Sequence, residues 1–134
     1  MKNFILTIII FLGFCQLANA ATQTDSALTT CEQAEMQNKP MVVMYSADYC
    51  FYCKQFKPIF YHLSHNLSNE YNFIIHDITK KHQPTICNGV DLDSIPTIFI
   101  INPQTGSKYL VSEKYYSNPA ALKNILTEYY KNLK

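Results

Sequence analysis

Apolar and polar positions along the chain follow two periods, and the switches between them lay out the elements. Met41-Val42-Val43-Met44-Tyr45-Ser46 is a continuous apolar run rich in β-formers, the pattern of a strand buried on both faces. From Cys50 to about Asn69 the period becomes helical. Cys53, Phe56, Phe60, Leu63 and Leu67 share one face, while Lys54, Lys57, His65 and Asn69 fall elsewhere. Tyr71 to Asp77, centred on Phe73-Ile74-Ile75, predicts a second strand, and Ile95 to Ile101 a third that opens at a proline. Asn102-Pro103-Gln104-Thr105-Gly106 carries hairpin-turn chemistry, so Lys108 to Ser112 returns antiparallel.

At the two ends the pattern is helical again. Ala27, Leu28, Cys31, Ala34 and Glu35 predict a first helix capped by Asp25 or Ser26, reaching about Gln37 and stopped by Lys39-Pro40. Asn118-Pro119 is an N-cap followed by proline at the first helical position. The helix it opens runs to about Leu133 and buries Leu122, Ile125, Leu126 and Tyr129. Lys80 to Leu92 carries mixed signals, with a short helix or turn around Cys87-Asn88-Gly89. The order α-β-α-β-α-β-β-α predicts an α/β domain whose central mixed four-stranded sheet is flanked by helices on both faces.

Residues 1–20 stand apart from this pattern. Lys2 precedes an apolar stretch from Phe4 to Leu17, and Ala18-Asn19-Ala20 gives a small-x-small cleavage site, so the segment reads as a secretory signal peptide. The stretch is short of the ~20 residues that span a bilayer, which leaves an uncleaved anchor as the minority alternative. Phe14 is too bulky to precede a lipidated cysteine, so Cys15 is expected to leave with the signal. Residues 21–134 then form one domain, expected in a periplasm or outside the cell, where disulfides persist.

Composition narrows the function. Without Lys2, ten lysines balance ten acids, and the chain contains no arginine. Neither nucleic acid nor a polybasic membrane contact is expected. Four cysteines remain after cleavage: Cys31, Cys50, Cys53 and Cys87. Cys50-Phe51-Tyr52-Cys53 sits at the strand-to-helix junction, where unsatisfied N–H groups and the helix dipole favour a thiolate at Cys50. Cys53 lies one turn on, within disulfide reach. A structural zinc site wants four ligands and no second Cys-x-x-Cys exists, so redox chemistry is the reading and no metal is expected. His62 and His65 read as solvated surface, and His76 and His82 have no recognisable partner spacing.

Cys50-x-x-Cys53-Lys54 followed by Pro58, together with Ile95-Pro96-Thr97, resembles the thioredoxin superfamily over nearly all of residues 21–134. The resemblance implies a thioredoxin fold and a thiol–disulfide oxidoreductase that needs no cofactor beyond its cysteines. Cys50 would attack a substrate disulfide and Cys53 would resolve the mixed disulfide. Pro96, if cis, would bring the Ile95 backbone beside the sulfurs to pair with an extended substrate. Phe51 and Tyr52 would offer an apolar contact, and Tyr49 and Lys54 would tune the thiolate. The fold would also put Cys31 and Cys87 on one side of the sheet. They are either two buried thiols or a structural disulfide that stabilises by roughly 3–4 kcal/mol.

Three positions depart from the family pattern. Met44 stands where thioredoxins carry a buried acid, Tyr49 replaces a tryptophan, and Phe51-Tyr52 replaces Gly-Pro. Ile95 before the proline and the lysine–proline pattern after Cys53 lean towards a reductase of protein disulfides; such a protein is expected to be a monomer and to exchange electrons with a membrane donor or acceptor. An oxidase or isomerase is the alternative within the class. A non-catalytic binding or assembly module is the alternative outside it.

Overall fold

The computed structural model describes residues 27–133. The predicted signal peptide and the Asp25 or Ser26 cap lie outside the described residues. The elements are α1 (Cys31–Glu35), β1 (Met41–Ser46), α2 (Phe51–Asn66), β2 (Asn72–Asp77), β3 (Thr97–Ile101), β4 (Lys108–Val111), a 3₁₀ turn (Glu113–Tyr115) and α3 (Pro119–Asn132). The sheet order is β2-β1-β3-β4, with β1 parallel to β2 and antiparallel to β3, and β3 antiparallel to β4.

Every residue of β1 is buried, because side chains alternate across a sheet covered on both sides. Val42 and Met44 point into a core built with Phe56, Phe60 and Leu63 of α2, Phe73 of β2, and Leu122 and Leu126 of α3. Met41, Val43 and Tyr45 point the other way, against Cys31 and Ala34 of α1 and Cys87. Each large side chain buried in this way contributes roughly 1.5–3 kcal/mol. Two helices thus cover one face of the sheet. The other is covered by α1 and by residues 78–96.

That second cover corrects two expectations. Helix α1 is five residues long and starts at Cys31, with Thr30 and Gln33 forming a reciprocal capping box. Upstream, Leu28 forms a parallel bridge with Phe73, and the Thr29 N–H donates to the Phe73 carbonyl at 2.9 Å. Ala27 and Leu28 therefore lie outside the helix predicted to contain them. Between β2 and β3 there is no helix, only turns. Ile86, Val90 and Leu92 from this segment pack against the second core.

Polar ties hold the segment where a helix would supply its own hydrogen bonds. The Tyr45 hydroxyl donates to the Cys87 carbonyl at 2.6 Å, and the Lys108 ammonium to the Asn88 carbonyl at 2.6 Å. The Ile86 N–H donates to the Glu35 carboxylate. Cys31 and Cys87 form a disulfide with Cα atoms 6.3 Å apart. This arrangement carries the chain to the Ile95–Pro96 bond, which is cis. The third strand accordingly starts at Thr97 rather than at Ile95.

Candidate functional site

The strand-to-helix junction places Cys50 as the N-cap of the 16-residue helix α2. Extended backbone at this residue lets the side chain fold back over the first turn, and the Cys53 N–H donates to the Cys50 sulfur at 3.1 Å. A sulfur held there faces the positive end of the helix and an orphan donor at once. Cys50 and Cys53 are joined in a disulfide, Cα atoms 5.2 Å apart. Cys53 is fully buried, and Cys50 retains 8% exposure. The two cysteines pack with Ala47 and Ile95 in a small apolar cluster. Pro58 interrupts the α2 hydrogen-bond ladder one turn beyond.

The cis-proline segment reaches the same point from the far side. The Ile95 carbonyl oxygen lies 3.6 Å from the Cys50 sulfur, so an S–H at Cys50 could donate to it in the reduced state. Tyr49, Phe51 and Tyr52, next to the two cysteines in sequence, are 74%, 66% and 70% exposed. Phe51 and Tyr52 meet edge to face. Lys54 is exposed one residue past Cys53.

Beside the disulfide runs a groove of about 550 Å³ between α2, the cis-proline segment and the turn before α3. Tyr52, Phe56, Ile59, Ile95, Pro96 and Tyr116 give it apolar walls. Tyr116 is fixed by two hydrogen bonds: its hydroxyl accepts from the Ile98 N–H at 2.7 Å and donates to the Val111 carbonyl at 3.1 Å. Burial pushes that hydroxyl up to about 12, so it stays protonated. Nothing local in the sequence marks Tyr116 as a side chain whose hydroxyl reaches back to β3 and β4.

Met44 is fully buried in the larger core. Among the described residues no aspartate or glutamate is fully buried, so none of these carboxylates supplies the internal acid that the Met44 position lacks. Histidines tell a different story. His62 and His65 are exposed on α2, but His76 is buried and stacks on His82 with ring centroids 3.9 Å apart. The His82 Nε2 lies 2.6 Å from the Asp77 carbonyl oxygen, which requires a proton on that nitrogen. Among the described residues no cluster of three or more histidine, cysteine or acidic side chains could hold a metal. No described helix is long and apolar enough to cross a membrane.

The thioredoxin family model matches residues 21–128. No curated protein matches the chain significantly. Among solved structures, the J-Trx1 fragment of ERdj5 superimposes with a TM-score of 0.61 at 11% identity, over 75% of this chain and 47% of that one. This chain therefore spans about half the length of that fragment. Oxidised thioredoxin O2 from Arabidopsis thaliana gives a TM-score of 0.51 at 17% identity, over 79% of this chain and 85% of that one. Trichomonas vaginalis thioredoxin also gives 0.51 at 17% identity, covering 76% of this chain and 93% of that one. With four strands in mixed order, two cysteines at the head of α2 and a family match over most of its length, the chain belongs to the thioredoxin family.

Proposed function

We propose that this protein is an exported thiol–disulfide oxidoreductase that reduces disulfides in other proteins. The observation that carries the reading is the Cys50 sulfur, N-capping α2 and bonded by the Cys53 N–H, beside the carbonyl that precedes a cis-proline. In the reduced protein a Cys50 thiolate attacks one sulfur of a substrate disulfide. The substrate S–S bond breaks, a mixed disulfide forms, and one substrate thiolate leaves. Cys53 then loses its proton and attacks the Cys50 sulfur, releasing the second substrate thiolate and closing Cys50–Cys53. Two electrons pass to the substrate, and an external dithiol donor, proposed to be membrane-borne, must return them.

Export is supported by the apolar segment ahead of the family match, which starts at residue 21. The Cys31–Cys87 disulfide supports an oxidising compartment as well. Phe51, Tyr52, Ile95 and Pro96 are the proposed substrate contacts, with Tyr49 and Lys54 tuning the thiolate.

A Cys53→Ala variant tests the cycle, because it stops at the mixed disulfide. Covalent partners recovered from the compartment, released by reductant, are the expected result. A Cys50–Cys53 potential near the ~−270 mV of thioredoxin supports the reductase direction, and one near ~−120 mV reverses it to disulfide donation. The buried Met44 favours a second reading, a non-catalytic binding module. A Cys50→Ser variant that kept full biological activity would establish it.

A further inference from the structure

The groove beside the disulfide has one charge in its lining. Its other contributors are apolar or neutral, whereas Glu113 stands exposed at the rim. The Ser94 hydroxyl donates to one of its carboxylate oxygens at 2.7 Å, which fixes the carboxylate and leaves its second oxygen available to a cation. Ser94 and Glu113 also line a neighbouring depression of about 420 Å³ that contains Asp91 and Asp93 and no basic residue. The apolar groove therefore passes into acidic surface across the Ser94–Glu113 hydrogen bond. The nearest lysine in sequence, Lys114, holds its ammonium 4.9 Å from the centre of the Tyr115 ring. Over the whole sequence acids and bases nearly cancel, so the acidity here is local.

Resting on the oxidoreductase reading, we propose that this surface selects the substrate. The occupant is an extended segment with a bulky apolar side chain next to the attacked cysteine and a lysine or arginine after it. The apolar side chain fills the groove between Tyr52, Ile59, Pro96 and Tyr116, and the basic residue reaches Glu113. Burial of the first supplies affinity. The second acts through charge complementarity, which governs encounter rate and choice of partner more than affinity. Groove and cation site are one continuous strip because Ser94 and Glu113 line both depressions, and Ile95 in the same wall holds its carbonyl oxygen beside the Cys50 sulfur.

The test uses three synthetic disulfide peptides that differ only after the cysteine: Cys-Leu-Lys, Cys-Leu-Glu and Cys-Gly-Lys. Rates of disulfide exchange with the reduced protein are followed by stopped flow, with oxidised glutathione as a small reference disulfide. Cys-Leu-Lys should react about fivefold faster than Cys-Leu-Glu at low salt, the range of a partly exposed ion pair. Salt should erase that ratio, and Glu113→Gln should bring it close to one. Cys-Gly-Lys should be slower in the parent and in Glu113→Gln alike. Equal rates for the lysine and glutamate peptides in the parent, at low salt, overturn the proposal and leave the oxidoreductase reading standing. A ratio that survives in Glu113→Gln overturns it too, since the selectivity then lies elsewhere. Failure to exchange with any peptide or with glutathione removes the oxidoreductase reading and this one with it.

Discussion

Two disulfides lie among the described residues, and they could hardly be set more differently. Cys50–Cys53 joins residues three apart in sequence at the end of a helix, with aromatic surface and a groove beside it. Cys31–Cys87 joins residues 56 apart, and both cysteines are buried beneath the cover of the opposite sheet face. The first closes almost no chain and so constrains the unfolded state little. The second closes a long loop, and in the chain-entropy account its stabilisation grows with that length. In the proposed cycle the first bond is the one exchanged, while the second ties down the segment that leads to the cis-proline.

Four expectations would break or sharpen this contrast. The largest is at the short pair: Cys50→Ser should drop disulfide exchange to the uncatalysed background with little change in the unfolding midpoint. Turnover surviving in that variant would refute the assignment of Cys50 as nucleophile. The double change Cys31→Ala, Cys87→Ala should cost roughly 3–4 kcal/mol in denaturant unfolding, while exchange at low temperature persists. If the folded variant lost exchange, the long disulfide would belong to the chemistry as well.

Tyr45→Phe should cost about 1–2 kcal/mol, because it removes one hydrogen bond and strands the Cys87 carbonyl beneath the cover. The same change should leave the Cys50–Cys53 potential where it was. A shifted potential would mean the two sites communicate through the 78–96 segment.

The smallest effect is one of pH and belongs to the structural side. Burial holds the His76 imidazole below its ordinary pKa, and the facing His82 ring lowers it further, against the pull of Glu32 and Asp77. The folded state thus favours neutral His76. Its contribution is complete above the unfolded value of about 6.5 and is lost progressively as pH falls from there toward the depressed folded pKa. The unfolding midpoint should decline from pH 7 to pH 5, and His76→Gln should flatten that decline. Identical slopes in parent and variant would rule His76 out as its source.

How far the sequence could be read varied with the distance over which each feature is encoded. The β1 run and the α2 stripe announce themselves within one element, as does the Asn118–Pro119 cap, and the sheet follows from them. The periodic pattern from Ala27 onward predicts too long an α1, because it cannot reveal that Leu28 pairs with Phe73. The better signal was the Thr30-x-x-Gln33 capping box two residues later. The His76–His82 stack has no periodic signature, since a turn between the two brings the rings together. The groove draws on three separate segments, and the role of Tyr116 in it depends on hydrogen bonds to β3 and β4. Such features exist only after the chain has closed on itself.

Met44 carries one further consequence, visible in an electrochemical titration. A carboxylic acid buried behind a dithiol changes its own proton affinity when the disulfide opens, and that bends the plot of potential against pH. Here the core behind the cysteines is hydrocarbon and thioether at that position, and no fully buried carboxylate occurs among the described residues. A two-electron, two-proton couple then falls by about 59 mV per pH unit, twice the ~29.6 mV that a tenfold change represents for two electrons. The line should change slope only where Cys50 and Cys53 themselves ionise, so this protein would report its two thiol pKa values directly in its redox curve.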